Sequence, residues 1–409
     1  MDWQDKRVFI TGISGFAGSY LARSLVENGA VVFGLTRRKT DGIPPRNVTD
    51  RDISGRVTLL EGNLEDYSAV SHAVSIASPD VVFHLAAQSY VPRSFTHPLE
   101  TAQANCMGTA NVLEAVRSCH SDPGVIFAGS SEEYGLVISS EHQYRMAGER
   151  YGIIHPEPEA IPELPISETN PLRPMSPYAV SKVYGDHLMR NYFHTYGVRA
   201  VVSRSFNHEG PGRGLMFVTS VITRQVAAMK AGEISSIRIG NVNPFRDWSH
   251  VTDITGGYCL LADKGCPGDV YNLGTGSTSS VLSYLLLSIE EAGFPVDSVS
   301  TFNGAKTVDA PTATDHSRQF GASFEKTTVD RMILEESVEY AVEDRGLIVS
   351  SGERKIRVDF EPDRFRPAEV PILLADISKV KNLGFCSRTG IRDIIREQLN
   401  YFSDAKNRV

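Results

Sequence analysis

The 409-residue chain is poor in the features that mark secreted, metal-clipped or membrane proteins. Its five cysteines, Cys106, Cys119, Cys259, Cys266 and Cys386, are scattered with no CxxC pair. That spacing excludes a thiolate metal site and a disulfide framework, and fits idle thiols in a reducing compartment. No apolar run approaches the roughly 20 residues that span a bilayer. Met1 to Arg7 leads into a strand without a signal-type apolar region. We therefore expect no membrane partner, no metal and a cytoplasmic location. Positive charge is also short, since 41 Lys and Arg stand against 49 Asp and Glu, a formal net charge of −8. A general nucleic-acid surface does not fit that balance, so any anionic ligand has to be held by a few placed Arg or Lys. Internal repeats and low-complexity tracts are missing, and the length suits two or three packed units.

What is present begins at once. Arg7-Val-Phe-Ile-Thr11 reads as a buried parallel strand, followed by Gly12-Ile-Ser-Gly15-Phe-Ala-Gly18 and a helical apolar spacing that stops at Asn28-Gly29. Strand, glycine turn and helix in that order form a dinucleotide cradle, with backbone N–H groups of the helix start facing a pyrophosphate. Gly12, Ser14, Gly15, Phe16, Ala17 and Gly18 are its candidates. A second strand, Val31 to Thr36, ends in Arg37-Arg38-Lys39, where an acidic residue would suit the ribose of NAD. Cations there suit the 2′-phosphate of NADP instead. Thr40 to Arg56 reads as a loop.

Strands follow at Val57 to Glu61, Val81 to Leu85, Gly124 to Ala128 and Ala200 to Phe206, with a long helix from about Leu99 to Ser118 between them. This alternation predicts an α/β fold with a Rossmann-type doubly wound parallel sheet, its ligands at the carboxyl ends of the strands. Asn63 and Leu64 then fall near an adenine, and Leu85, Ala86, Ala87 and Ser89 where a cofactor passes close to the backbone. The expected division is 1–206, an NADP-binding domain with an insertion at about 137–165, and 207–409, a smaller mixed α/β substrate lobe. Residues 246–275 of that lobe are expected to pack back on the first domain. Residues 296–353 read as a second insertion, a polar loop with one amphipathic helix from Val329 to Val342.

Tyr178-Ala-Val-Ser-Lys182 places a tyrosine and a lysine one helical turn apart on a helix of about Pro177 to Tyr196. An ammonium beside a phenol favours the phenolate and brings its pKa down toward the working range. Ser130-Ser-Glu132 stands at the end of the fifth strand, so hydroxyl and carboxylate groups are available next to that phenol.

These stretches, with His84-Leu-Ala-Ala-Gln-Ser89 and Gly108-Thr-Ala-Asn-Val-Leu-Glu-Ala115, resemble the extended short-chain dehydrogenase/reductase family, which acts on nucleotide sugars. The second half is most similar to the GDP-mannose 4,6-dehydratases within it. Phe206-Asn-His-Glu209, Arg213-Gly214, Phe217-Val-Thr219, Arg246-Asp-Trp248-Ser-His250 and Arg366-Pro-Ala-Glu369-Val370 carry that likeness. The resemblance implies a homodimer or homotetramer with a catalytic set of Ser130, Ser131, Glu132, Tyr178 and Lys182. Tyr178 would take the 4-hydroxyl proton, Lys182 would hold the nicotinamide ribose, and Ser130 would bond the 4-oxygen. Glu132 would remove the C5 proton, and Ser131 would position the leaving 6-hydroxyl. His208 and Arg213 would touch NADP. Ser89, Ser130, Asn207, Val218, Arg246, Arg366 and Glu369 would hold the substrate.

Other roles suit two of these arginines, since Arg246 can brace Asp247 and Arg366 can cap a helix. Two departures stand out. Ser220 and Val221 occupy positions where these dehydratases carry basic residues, which bears on the nucleotide base. The 137–165 insertion adds Tyr144, Arg145, Arg150 and Tyr151, as a pocket lid or a subunit contact. A decarboxylase or epimerase on a UDP-sugar is the competing enzyme reading, with Arg145 and Arg150 as partners for a sugar carboxylate. A non-catalytic NADP-binding sensor is the competing non-enzyme one.

Overall fold

Short runs of β-branched and aromatic residues build the centre of the molecule. The computed structural model describes residues 1–37, 43, 45–365 and 368–408. Seven strands form one parallel sheet: β1 (Arg7–Thr11), β2 (Val31–Thr36), β3 (Val57–Glu61), β4 (Val81–His84), β5 (Gly124–Ala128), β6 (Ala200–Ser205) and β7 (Val270–Leu273). Their spatial order is β7-β6-β5-β4-β1-β2-β3, with the reversal between β1 and β4 that opens a crevice at the carboxyl ends of the strands. Side chains alternate between the two faces as the pleat requires. Val8, Ile10, Val81, Phe83 and Ile126 join one core, while Phe9, Val82, Val125 and Phe127 join the other. Because helices cover both faces, the strands read as continuous apolar runs.

The long helix expected from about Leu99 to Ser118 is broken in the middle. Pro98–Ala102 and Gly108–Arg117 are α-helical, and Gln103–Met107 is one wide π turn. Such a turn inserts an extra residue into the helical ladder and is frequent beside functional groups. The loop expected over Thr40 to Arg56 holds a short helix, Arg46–Asp50, which lies against the glycine turn. Asn47 Nδ2 donates to the Ser14 carbonyl at 3.0 Å, and the Arg51 guanidinium sits 3.4 Å from the Tyr20 ring centre.

The second core gathers helices Val218–Lys230, Val281–Glu291 and Ile391–Ser403 against a five-stranded sheet. Here the polar-loop expectation for 296–353 fails. Ser298–Thr301, Thr307–Asp309, Gly346–Ser351 and Arg354–Phe360 are strands, joined in parallel by Ser236–Ile239. The helix there is Thr328–Leu334, shorter than expected and begun by a Thr327–Asp330 capping box. The Ser-Val-Ser-Thr strand looked like loop because only alternate residues, Val299 and Thr301, are buried.

The inserted segment near 137–165 carries helix Glu141–Tyr151 and a small core of Leu136, Ile138, Ala147 and Ile154 packed on Met175. Ser176 just beyond caps the helix Pro177–Tyr196 by accepting from Ala179 N–H at 3.1 Å. Among the described residues, no helix is long and apolar enough to cross a membrane.

Candidate active site

The glycine turn is compact because three of its residues, Gly12, Gly15 and Gly18, have no side chain. Gly12 has φ +78°, and a Cβ there would lie 2.8 Å from the Ala86 amide nitrogen. A Cβ on Gly18 would come within 2.1 Å of the Gly12 carbonyl oxygen. The turn therefore closes against the end of β4, and helix Phe16–Glu27 starts directly over it. At the ends of β2 and β3, Arg37, Glu61, Gly62 and Asn63 line a cavity of about 380 Å³. Leu64 lies beside it, its carbonyl accepting from Asn111 Nδ2 at 2.7 Å. Arg38 lies outside the described residues, as does Arg366. The residues present fit a dinucleotide, with a side-chain-free cradle for phosphates and a cation at the cavity of the second strand.

Beneath this crevice runs a buried polar chain that the sequence reading overlooked. Thr11 Oγ1 meets His84 Nδ1 at 2.7 Å, and His84 Nε2 meets Thr109 Oγ1 at 3.0 Å. Burial, helped by the Lys182 charge, holds the His84 imidazole down at about 3. In the π turn, the Asn105 carboxamide accepts from Gln88 N–H at 2.7 Å and donates to the Gln88 carbonyl at 3.1 Å. Its nitrogen also reaches Ser181 Oγ at 2.9 Å, tying the Ala86–Ser89 strand end to the helix of Tyr178. The signal was the Asn two residues before Met107-Gly108, which helical periodicity alone does not single out.

Tyr178 and Lys182 are both buried on one face of helix Pro177–Tyr196. Lys182 Nζ donates to the Ala128 carbonyl at 2.6 Å and lies 5.9 Å from the Tyr178 ring centre. Burial pulls the Lys182 ammonium down to about 8, with Glu133 opposing the shift. The expectation that Lys182 lowers the Tyr178 pKa is not met in this geometry. Burial raises the phenol well above its ordinary range, and the neighbouring Ser130 only partly offsets it. At this separation the ammonium is spent on a backbone carbonyl, and desolvation of the phenolate dominates.

Ser130, Ser131 and Glu132 sit on a 3₁₀ turn, Ser131–Glu133, that ends β5. The Ser130 hydroxyl is near enough to the Tyr178 phenol to favour its ionised form, and it accepts from Glu132 N–H at 3.2 Å. The half-buried Glu132 carboxylate is near enough to act on the Tyr178 phenol through its charge. One serine thus brings the phenol and the carboxylate into a single site. Glu133 is fully buried, and its carboxyl accepts from the Ser130 N–H.

On the far side, strand Asn207–Glu209 pairs in parallel with Trp248–His250. His208 stacks on Phe16 of the glycine turn, ring planes 4° apart, and Arg213 lies over both Phe16 and Phe217. Burial and the Arg213 charge push His208 down to about 3. Both candidates therefore stand at the cofactor turn. Arg246 does not brace Asp247. Its guanidinium donates to Glu369 Oε1 at 3.0 Å and to the Phe245 and Val370 carbonyls at 2.8 Å each. Asp247 instead binds the Thr275 and Gly276 amides, and burial raises it to about 6. Val218 begins helix Val218–Lys230, where Ser220 and Val221 face inward. Ser220 Oγ donates to the Arg213 carbonyl at 3.1 Å, so this residue positions Arg213.

Residues 8–274 match the model of the NAD dependent epimerase/dehydratase family. The chain is 31% identical to the GDP-mannose 4,6-dehydratase of Sinorhizobium fredii strain HH103, over 97% of this chain and 98% of the relative. It is 33% identical to the GDP-mannose 4,6-dehydratase of Yersinia enterocolitica, over 96% and 93%. Among solved structures, RMD from Pseudomonas aeruginosa complexed with NADPH superposes with a TM-score of 0.65 at 22% identity, over 98% and 99% of the chains. UDP-glucose 4-epimerase from Bifidobacterium longum with NAD+ and UDP gives 0.69 at 21%, over the same shares. Those structures share the fold and hold a nicotinamide dinucleotide in it. The glycine turn, the Ser130–Tyr178–Lys182 constellation and these matches together establish that the chain belongs to the NAD dependent epimerase/dehydratase family.

Proposed function

We propose that this protein is a nucleotide-sugar 4,6-dehydratase using NADP, with GDP-mannose or a related GDP-hexose or GDP-heptose as substrate. The observation that carries the reading is the placing of Ser130, whose hydroxyl caps the turn that holds Glu132 and lies beside the Tyr178 phenol. An acid/base phenol beside a turn that carries a carboxylate suits proton removal at neighbouring carbons of one hexose. The dehydratase relatives, at 31% and 33% identity over nearly the whole chain, support the substrate class. Arg37 at the second-strand cavity supports NADP over NAD.

When bound, the dinucleotide supplies a hydride acceptor whose positive ring favours the Tyr178 phenolate and which returns the hydride to C6. Tyr178 takes the proton of the 4-hydroxyl, with Ser130 bonded to the same oxygen. The C4 ketone acidifies the C5 proton, which Glu132 removes. Ser131 positions the 6-hydroxyl, which leaves as water with one proton. A proton returned to C5 closes the cycle, and the net change is one water lost. Lys182 gives one N–H to the Ala128 carbonyl, and its remaining donors would hold the nicotinamide ribose.

Arg246 and Glu369, paired at 3.0 Å, take the nucleotide end together with Asn207. The 137–165 segment acts as a selector at the sugar pocket, through its packing on Met175 beside the Ser176 cap. Arg145 and Arg150 are both exposed on its helix, which does not favour a decarboxylase that needs them at a buried sugar acid. We take the protein to be a homodimer or homotetramer, for which Val180, Tyr184 and Tyr196 offer exposed apolar surface on one long helix. The test is incubation with GDP-mannose and a panel of UDP-sugars, read by mass spectrometry. Loss of one water without net NADPH is the expected result; loss of carbon dioxide, or altered sugar resonances at unchanged mass, refutes the dehydratase.

A further inference from the structure

Glu133 follows the proposed base and stands outside the chemistry described above. It is fully buried, and its Oε1 accepts from the Ser130 N–H at 2.7 Å. With the Ser130 hydroxyl accepting from the turn, this makes a reciprocal cap. The room for the carboxyl is specific: a Cβ on Gly129 would lie 2.6 Å from Glu133 Oε1. The other oxygen, Oε2, is buried without a hydrogen-bond partner and lies 3.4 Å from Arg204 Nε. Arg204 directs that N–H to Asp186 Oδ2 at 2.9 Å, and Arg190 holds Asp186 Oδ1 at 2.7 Å. Asp186 lies on the helix of Tyr178 and Lys182, one turn beyond the lysine.

We infer that Glu133 is a positioning residue, which sets the Ser130 hydroxyl against the Tyr178 phenol by holding the Ser130 amide on a carboxyl anchored to the catalytic helix through Arg204 and Asp186. It acts through Ser130 and touches no substrate. Every group that faces it fits this role. Arg204 comes from β6, Asp186 and Lys182 from the long helix, and Ser130 from its own turn. Burial, reinforced by Asp186, pushes Glu133 up to about 8, so at neutral pH it adds little negative charge beside the phenol. Reach is then the property that matters, and charge is not. An unpaired, buried Ser130 N–H costs about 1–3 kcal/mol, which the turn relieves by shifting. A shift of about 1 Å at a reacting group costs up to about 10²-fold in rate.

The inference rests on the dehydratase reading, so the test has an arm that needs no turnover. Glu133→Asp keeps a carboxyl and withdraws the acceptor by one methylene; Glu133→Gln keeps the reach and replaces the ionisable carboxyl with a neutral amide. With GDP-mannose, Glu133→Asp is expected to lower kcat about 10–100-fold with KM within roughly threefold, and Glu133→Gln to stay within roughly threefold of the parent. In the cofactor-loaded protein without sugar, exchange of the Ser130 amide proton should accelerate in Glu133→Asp and stay slow in Glu133→Gln. A Glu133→Asp variant with parental kcat and parental Ser130 exchange overturns the inference, as does a Glu133→Gln variant impaired equally with it. A parent that leaves GDP-mannose unchanged counts against the dehydratase reading, while the exchange arm still decides the positioning role.

Discussion

Arg173 fastens the inserted segment to the catalytic loop, and removing it should open that segment before anything else. Its guanidinium donates to Glu163 Oε1 and Oε2 at 2.7 Å each, to the Pro156 carbonyl at 2.6 Å and to the Leu136 carbonyl at 2.9 Å. Both side chains of the pair are 4% exposed. Glu163 Oε2 also accepts from Ile138 N–H at 2.8 Å, so one backbone donor remains if the arginine goes. Breaking a buried pair from one side costs about 3–5 kcal/mol, mostly because a charge is left uncompensated. We expect Arg173→Met to lose about that much locally, since the small core of Leu136, Ile138, Ala147 and Ile154 has little else to hold it. At about 1.4 kcal/mol per tenfold, amide protection within 137–165 should fall by roughly 10² to a few times 10³. Glu163→Gln keeps an acceptor for Ile138 and removes the charge, so Arg173→Met/Glu163→Gln should recover at least about 2 kcal/mol of the loss. Hydrogen exchange by mass spectrometry, with urea unfolding as the global control, reads both effects. Unchanged exchange over 137–165 in Arg173→Met, or a double variant no better than the single one, refutes the argument. The Arg173 backbone also pairs with Tyr134 and Leu136, so kcat should fall with the opening.

Three further outcomes are expected. Glu132→Gln should retain cofactor and sugar binding and slow water loss by about 10²–10⁴-fold, measured as product mass against time; normal dehydration in that variant removes Glu132 from its role. Arg37→Ser should weaken NADP about 10–100-fold and NAD less than about threefold by calorimetry, as loss of a charge-assisted phosphate contact predicts; equal losses would speak against a phosphate there. His84 is held at about 3, below the ordinary 6.5, so between those values the unfolded chain binds a proton that the folded chain excludes, and stability falls as pH drops through that window. Near pH 5 this one group contributes a slope of about 1.4 kcal/mol per pH unit, which His84→Gln should remove from urea midpoints taken at several pH values. His208 keeps a slope of the same sign in that variant, and Glu133, raised by burial, one of opposite sign, so the comparison with the parent isolates His84.

Much of the site was written in short local patterns. Gly12 to Gly18, Tyr178 with Lys182 and the Ser130–Glu132 turn each depend on residues within one strand end or one helical turn, where spacing determines which side chains meet. What escaped was carried by partners distant in sequence. Asn105 meets Gln88 and Ser181 only because a π turn rotates it inward. The ionisation of Tyr178 was misjudged because spacing on a helix says nothing of how dry the phenol is, or that Lys182 is already engaged.

The chain by itself determined the order of strands and helices in the parallel sheet and the glycine turn, because hydrophobic period and backbone freedom are local properties. Only the tertiary structure decided that 296–353 builds a sheet, that Arg246 pairs with Glu369, and that the turn of Ser130 and Glu132 lies beside Tyr178. Those are contacts between segments tens to hundreds of residues apart, and burial, which sets their strength and their protonation, exists only after the segments have packed.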